Sequence, residues 1–339
     1  MRIWTVFWVG VWLLFLSSVP RAGGSGTFAD EAGPTRDFCI VGGYAFFYGN
    51  RLGNPSAGSH LWRFNLRTGG TDRALTDRQE KAVVRDQLVQ LTACAQKALL
   101  AGITYGVERI PRSQRIFTEI VLVDLPTSRV ELIVANGRYN MFPQFSPDGS
   151  AIAFYDASAD LEMNKWDPNF KGFAVSVVDV ATKGIRRVAQ EDWRHTRDSP
   201  PAWSPQGQQV AFSACYDKGG GSQIYVADLT AAIPTRISPA DMKGCEYPVW
   251  SDVATVLYYG SRSKEYGIYA SPPDGSVTRH LFPCSVRTPP DLSPDRAKIA
   301  FLGAAASSDM RKSEVIVLDL SGQRLMSEGP KLVSHRWRR

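Results

Sequence analysis

The residue types best suited to chemistry are concentrated in one short connection, residues 192–198, which reads Asp-Trp-Arg-His-Thr-Arg-Asp. Two arginines and an imidazole stand beside an indole, so this stretch can bind a carboxylate or a partner's acidic side chain through charge-assisted hydrogen bonds. The alternative is a solvated loop in which Asp198 only anchors the turn that follows. The partner-binding residues predicted here are Trp193, Arg194, His195 and Arg197.

A second candidate surface is the segment Asp160–Phe170, which carries large apolar side chains among charged and amide residues. Trp166 is costly to expose to water, so the segment either folds onto its own repeat or offers Trp166 to a partner. Residues at corresponding positions later in the chain are expected to complete a rim of mixed charge. They are Tyr216, Asp217, Lys243, Glu246, Tyr266 and Arg287.

Sequence signatures of known catalytic and metal sites are missing. The chain has no Gly-x-Ser-x-Gly nucleophile motif and no HExxH zinc motif, and its four histidines fall in separate repeats. We therefore predict a binding protein rather than an enzyme, with no catalytic residue, cofactor or metal. The alternative is a lyase acting on an acidic oligosaccharide, or another small-molecule enzyme, with His195 as base and Arg194 or Arg197 stabilising charge.

These candidates need a scaffold, and the chain supplies one as a repeat. Its clearest copy, Phe142–Tyr155, contains Ser-Pro-Asp-Gly at residues 146–149, the residue order of a type I β-turn. Apolar segments of strand composition flank the turn. A third strand, Val175–Asp179, and a basic fourth strand, Arg186–Val188, follow. Four antiparallel strands make one propeller blade, so the repeat predicts a propeller.

Degenerate copies of this unit recur roughly every 40 to 60 residues, as in propeller blades. A weak first copy begins at Phe38 and has Gly42-Gly43 as its turn. In the others a serine or threonine holds the turn position, at Thr92, Ser146, Ser204, Ser251 and Ser293.

Two further positions of the repeat have predicted structural roles. The aromatic residues before the turns are expected to fill the core; they are Phe145, Trp203 and Trp250. The acidic residues that end third strands, and those inside the turns, are expected to accept backbone N–H bonds. They are Asp124, Asp179, Asp228 and Asp319, together with Asp148 and Asp295.

This pattern resembles the TolB-like, or WD40-like (PD40), propeller repeat, which reads roughly Pro-x-Trp-Ser-Pro-Asp-Gly, then Ile-Ala-Phe, then Ile-Tyr-Val-x-Asp. The match covers about residues 38–334. The resemblance implies an all-β fold, a six-bladed β-propeller of four-stranded antiparallel blades, formed as one domain by residues 38–334. In such a fold the loops between second and third strands and the connections between blades share one face, around the mouth of a central channel.

The N-terminus has the pattern of a secretory signal peptide. Met1-Arg2 precedes an apolar run, Ile3–Leu16, and then small residues, which predicts a signal over residues 1–24. The alternative is a membrane anchor, although the run is short for a span of ~20 residues. We expect a periplasmic or secreted protein that touches the membrane only transiently, with residues 25–37 as a linker and 335–339 as a basic tail.

The distribution of charge limits the kinds of partner to be expected, and the number of cysteines limits the possible disulfides. The formal net charge of +6 is spread along the chain rather than gathered in a basic arm, so nucleic acid is not a predicted partner. We expect a monomer that binds an envelope protein or a glycan. In an exported chain five cysteines allow up to two disulfides, with buried unpaired thiols as the alternative. They are Cys39, Cys94, Cys215, Cys245 and Cys284.

Overall fold

The computed structural model of this chain describes most of the predicted repeat region. It covers residues 38–51, 54–85, 87–110, 113–158, 173–193, 199–215, 221–231, 233–293, 295–305, 314–320 and 331–334. Their regular secondary structure is almost entirely antiparallel strand, and they divide into two compact units, residues 1–143 and 144–339. The predicted signal peptide, linker and basic tail lie outside the described residues.

The first unit contains two four-stranded sheets joined by one short helix. The first sheet has the order β1-β2-β3-β4, with β1 Phe38–Val41, β2 Tyr44–Arg51, β3 Asn54–Asn65 and β4 Thr71–Arg73. The second has the order β5-β6-β7-β8, with β5 Leu88–Cys94, β6 Leu99–Ile110, β7 Ser113–Asp124 and β8 Arg129–Val134. Apolar side chains from both sheets share one core, in which Leu61 and Leu100 are fully buried.

The predicted glycine turn of the first copy is confirmed. Gly42 and Gly43 join β1 to β2 with φ values of +60° and +82°, and the flanking residues Val41 and Tyr44 pair. A two-residue hairpin turn with both φ values positive follows the twist of the strands and suits glycine, which has no Cβ to clash.

The segment after β4 is the helix α1, Asp77–Val83. The sequence left open whether these charged residues form a helix or an outer strand. Thr76 decides for the helix through a capping box, because its hydroxyl accepts the Gln79 N–H while the Gln79 side-chain oxygen accepts the Thr76 N–H at 2.8 Å. The helix buries Glu80 and Val83.

The second unit holds the clearer repeats, and β9 Tyr139–Phe145 spans the boundary between the units. The third sheet has the order β9-β10-β11-β12, with β10 Ala151–Ala157, β11 Phe173–Asp179 and β12 Ile185–Trp193. The fourth has the order β13-β14-β15-β16, with β13 Ala202–Trp203, β14 Gln209–Ala214, β15 Gln223–Asp228 and β16 Thr235–Arg236.

The last eight strands form one sheet, because β20 pairs with both β19 and β22. Its strands are β17 Met242–Trp250, β18 Val256–Arg262, β19 Glu265–Ser271, β20 Arg279–Val286, β21 Asp291–Leu292, β22 Lys298–Ala305, β23 Glu314–Asp319 and β24 Lys331–Ser334. Four of the five sheets in the described residues are therefore four-stranded and antiparallel. The count of six blades stays a prediction.

Five of the six repeated acidic residues have the structural role expected of them, and for Asp319 the role stays a prediction. Asp148 Oδ1 accepts the Ser150 N–H at 3.0 Å, and Asp295 Oδ1 accepts the Ala297 N–H at the same distance. At the ends of third strands, Asp124, Asp179 and Asp228 accept N–H bonds from residues two or three positions later. Hydrogen bonds from Thr230 hold the pKa of Asp228 below its usual value.

The tryptophans before the turns lie in the core and also link successive repeats. Trp250 is 1% exposed and Trp203 is 7% exposed. Trp203 Nε1 donates to the Gln144 carbonyl at 2.8 Å, and Trp250 Nε1 donates to the Ala202 carbonyl at 3.1 Å. The expectation holds only in part for Phe145, which is half-buried.

The turn of the second copy differs from the prediction. Cys94 pairs with Leu99 and the residues between them form the turn, so Cys94, and not Thr92, occupies the position held elsewhere by serine. Ala98, one position later in its turn than Gly149 in the third copy, adopts a φ of +51° although it is not glycine. The sequence places this turn poorly because it contains neither proline nor glycine.

All five cysteines are free thiols in this structure, which is the unpaired alternative. Cys94, Cys245 and Cys284 are buried. Burial raises the pKa of Cys245 and Cys284 to about 12, so these thiols stay protonated and unreactive near neutral pH.

Candidate functional site

Three of the eight predicted partner-binding residues lie within the described residues. Trp193 is the last residue of β12, where its backbone pairs with Phe173 of β11. Glu246 lies on β17, and Arg287 follows β20. The other five stay predictions because they fall outside the described residues; they are Trp166, Arg194, His195, Arg197 and Tyr216.

The backbone next to Glu246 has an unusual conformation. Tyr247 has a φ of +58°, in the left-handed region that side-chain-bearing residues rarely adopt, and the pairing of β17 with β18 shifts register on both sides of Glu246. The Tyr247 N–H donates to Ser199 Oγ at 2.8 Å, and Ser199 is fully buried. A side chain of the preceding repeat therefore holds the bulge that sets the direction of Glu246.

The same bulge position recurs in the first unit. Gln90 and Phe142 stand at the place equivalent to Tyr247 in their own repeats, and each has a φ of +54°. The Phe142 N–H donates to Gln90 Oε1 at 2.6 Å. Phe142 and Tyr247 thus share one feature of the first strand of a sheet: a residue with positive φ whose N–H is bonded by a side chain of the preceding repeat.

Beside the bulge, three polar side chains lie near one another, and an exposed arginine follows a strand that borders them. Glu246 is the cross-strand partner of Tyr259, so the two side chains are neighbours on one side of the sheet. Tyr266 is 48% exposed and lies close enough to affect the Tyr259 hydroxyl. The Val286 backbone N–H faces the same hydroxyl, and the next residue, Arg287, is exposed. We call Glu246, Tyr259, Tyr266 and Arg287 the rim cluster.

Electrostatics favours recognition over proton transfer in the rim cluster. Burial, followed by the influence of Cys284, Tyr266 and Glu246, raises the pKa of Tyr259 to about 12. The neighbouring Cys284 thiol also has a pKa raised to about 12, chiefly by burial. General acids and bases work best with a pKa near the operating pH. The cluster therefore presents a phenol that stays a hydrogen-bond donor near neutral pH, together with a carboxylate and a guanidinium.

Sequence reasoning identified Glu246, Tyr266 and Arg287 but missed Tyr259. The structure brings Glu246 and Tyr266 together around Tyr259 and places Arg287 one residue beyond Val286. Alternation along β18 was a usable signal, because Val256 and Tyr258 are buried on one side of the strand while Tyr259 is only partly buried on the other.

Among the described residues no helix is long and apolar enough to cross a membrane, since α1 has only 7 residues.

Comparison with known proteins identifies the fold. No protein-family model matches the chain. TolB from Acinetobacter baumannii is similar in structure, with a TM-score of 0.51 and 18% identity over 83% of this chain and 62% of that one. Oligogalacturonate lyase from Vibrio parahaemolyticus has a TM-score of 0.62 and 13% identity over 89% of this chain and 78% of that one.

A puromycin-hydrolysing peptidase from Mycobacterium tuberculosis has a TM-score of 0.59 and 14% identity, covering 88% of this chain and 44% of that one. The chain thus spans less than two thirds of the TolB and less than half of the peptidase. At these identities the likeness establishes a fold and leaves the activity open, because the three proteins differ in what they do.

Proposed function

We propose that this chain, which has the fold of the TolB-like (PD40) β-propellers, is a recognition module of the cell envelope that binds a protein segment or a glycan. The binding face is the one that carries the rim cluster. The proposed architecture is a six-bladed ring in which this face surrounds the mouth of a central channel.

The observation that carries the proposal is the chemistry of the rim cluster. It joins a carboxylate, a guanidinium and two tyrosines, and the pKa of Tyr259, at about 12, keeps its phenol a hydrogen-bond donor. Tyrosine and arginine are the residue types that contribute most binding energy at interfaces. Side chains with fixed protonation states and partial exposure are suited to holding a ligand rather than to moving its protons.

The backbone supports the same function. Because Ser199 fixes the Tyr247 bulge at 2.8 Å, the neighbouring Glu246 is held in place before a ligand arrives. Preorganised groups lose little conformational entropy on binding, so more of the contact energy remains as affinity. The signal-like residues 1–24 support placing this module in the periplasm or outside the cell.

The test uses a photo-crosslinking amino acid at Tyr266 in the protein expressed in its native envelope, with the same substitution at Val277 as the matched control. Val277 is 54% exposed but lies in the turn between β19 and β20. We expect a stoichiometric partner cross-linked from position 266, absent from position 277 and lost when Glu246→Gln and Arg287→Ala are added.

Equal cross-linking from both positions, or none from position 266, would contradict binding at the rim cluster. Ultraviolet absorbance from an unsaturated product, formed from an acidic oligosaccharide and abolished by His195→Ala, would replace the proposal with the lyase alternative.

A further inference from the structure

A second polar cluster, in the first unit, surrounds one guanidinium with potential metal ligands. Arg73 Nη2 lies 3.0 Å from Glu80 Oε2 and 3.0 Å from His60 Nδ1, and Arg73 Nη1 lies 2.5 Å from Asp77 Oδ1. His60 Nδ1 is 2.7 Å from Glu80 Oε2. We call His60, Arg73, Asp77 and Glu80 the His60 cluster.

The hydrogen-bonding groups around His60 Nδ1 are not compatible with one another. His60 Nδ1 is in contact with an acceptor, Glu80 Oε2, and with a donor, Arg73 Nη2. One ring nitrogen can donate or accept but cannot do both, so either tautomer leaves one of these close contacts between groups of the same kind.

A second mismatch lies on Arg73 itself. Its Nε is buried and has no hydrogen-bond partner among the described residues. A buried donor left without an acceptor is unfavourable, since its hydration is lost and nothing replaces it. Arg73 thus has the positive charge that the carboxylates require, but not all of its N–H groups have acceptors at this position.

We propose that the His60 cluster is a site for a divalent transition-metal ion of the Zn²⁺ type, which competes with the Arg73 guanidinium for His60, Asp77 and Glu80. A metal ion resolves both mismatches. It takes the lone pair of a deprotonated Nδ1, and displacement of the guanidinium, whose side chain is already 30% exposed, returns Nε to water.

The three ligand groups are already gathered. One ligand atom from each of His60, Asp77 and Glu80 lies within 4.8 Å of the others. Imidazole with carboxylates suits zinc better than magnesium or calcium, which prefer oxygen ligands.

The fold also supplies outer support for the ligands. Glu80 Oε1 accepts the Leu61 N–H at 2.6 Å, which fixes the carboxylate from the backbone of β3. The capping box at Thr76 sets the start of α1 and thereby the positions of Asp77 and Glu80. Such hydrogen-bonded ligands bind metals more tightly than unsupported ones, and three protein ligands leave a fourth position for water.

The experiment is calorimetric titration of the full chain, with any affinity tag removed, using zinc chloride and, as a control, magnesium chloride. We expect one zinc ion bound per chain. His60→Gln should weaken zinc binding by at least about tenfold, because losing a ligand should cost no less affinity than losing an outer-shell partner of a ligand. Arg73→Ala should tighten it by about tenfold because the competing cation is gone, a change of about 1.4 kcal/mol.

The matched control is Arg63→Ala, which removes a guanidinium from β3, the strand that carries His60; Arg63 pairs there with Asp72 at 2.6 Å. This variant should leave zinc affinity unchanged. Circular dichroism verifies that each variant is folded, and Arg73→Gln replaces Arg73→Ala if the latter unfolds.

Three results would overturn the proposal. Zinc affinity unaffected by His60→Gln would place the ion elsewhere, for example on thiols. Affinity not increased by loss of Arg73 would show that the guanidinium and the metal do not compete. Zinc bound by the Arg73 variants alone would show that the arginine is a fixed structural cation.

Discussion

The rim cluster of the second unit and the His60 cluster of the first combine similar side chains in different surroundings. Glu80 is only 7% exposed, and it accepts hydrogen bonds from the Leu61 backbone and from Arg73. In the rim cluster Tyr266 is 48% exposed, and a backbone bulge rather than a network of side chains sets the direction of Glu246. One cluster is closed by its own arginine, while the other presents its groups outward.

The difference shows that burial determines whether a polar residue contributes mainly to stability or mainly to binding. A buried carboxylate must be compensated by donors from the protein, so removing Glu80 from the His60 cluster acts mainly on the fold. Partly exposed groups keep much of their hydration, so removing a member of the rim cluster acts mainly on what binds there.

The largest effect is expected from Glu80→Ala. This change leaves the Leu61 N–H without its acceptor at a buried position and leaves the partly buried Arg73 guanidinium with Asp77 as its remaining carboxylate, so the free energy of unfolding should fall by about 3–5 kcal/mol. Urea denaturation measures it. The control is Asp72→Ala, which breaks the exposed ion pair with Arg63 and should cost less than about 1 kcal/mol. Similar losses in both variants would refute the contrast between buried and exposed pairs.

A smaller loss is expected from Ser199→Ala on the rim side. The Tyr247 N–H loses its acceptor at a fully buried position, which should lower the free energy of unfolding by about 1–3 kcal/mol. Cross-linking from position 266 should fall as well, because the bulge no longer fixes Glu246. Ser150→Ala, at an exposed turn position, is the control and should change stability by less than about 0.5 kcal/mol.

The stability of the fold at alkaline pH should depend on the ionisation of Tyr259. Its pKa is about 12 in the folded chain and about 10 when unfolded, so the folded state retains a proton that the unfolded state releases. The contribution of Tyr259 to stability is therefore constant below pH 10 and declines between pH 10 and 12. The stability difference between wild type and Tyr259→Phe should shrink over this range in chemical denaturation, and a difference independent of pH would contradict the assignment.

The smallest effect on stability is expected from Glu246→Gln together with Arg287→Ala. Both residues are at least partly exposed, so the free energy of unfolding should change by less than about 0.5 kcal/mol while partner cross-linking is lost. Thermal unfolding of the double variant, run beside the cross-linking assay, separates the two effects. A stability loss of several kcal/mol would mean that the rim cluster serves the fold.

Much of the architecture was readable from short segments. Ser-Pro-Asp-Gly at residues 146–149 and Gly42-Gly43 predicted their turns because the turn geometry depends on residues adjacent in the chain. The Asp residues at strand ends were assigned correctly for the same reason, as Asp179 bonds to residues only two and three positions away. The second copy was misplaced by two residues because its turn, between Cys94 and Leu99, contains neither proline nor glycine.

Less of the candidate site could be predicted. Glu246, Tyr266 and Arg287 were identified by position in the repeat, whereas Tyr259 emerged only from its pairing with Glu246 across two strands. The His60 cluster was not foreseen, since His60 and Glu80 are twenty residues apart and meet only because the capped helix returns to β3.

The sequence by itself determined the repeat, its turns and the residues that fill its core, because these depend on local backbone preference and on the alternation of apolar side chains along a strand. Only the tertiary structure decided which polar residues meet. Tyr247 takes a positive φ without being glycine because Ser199, from another repeat, accepts its N–H. Arg73 stands among three potential metal ligands because a helix, two strands and a cap converge there. Such meetings depend on the packing of distant segments, which no local pattern records.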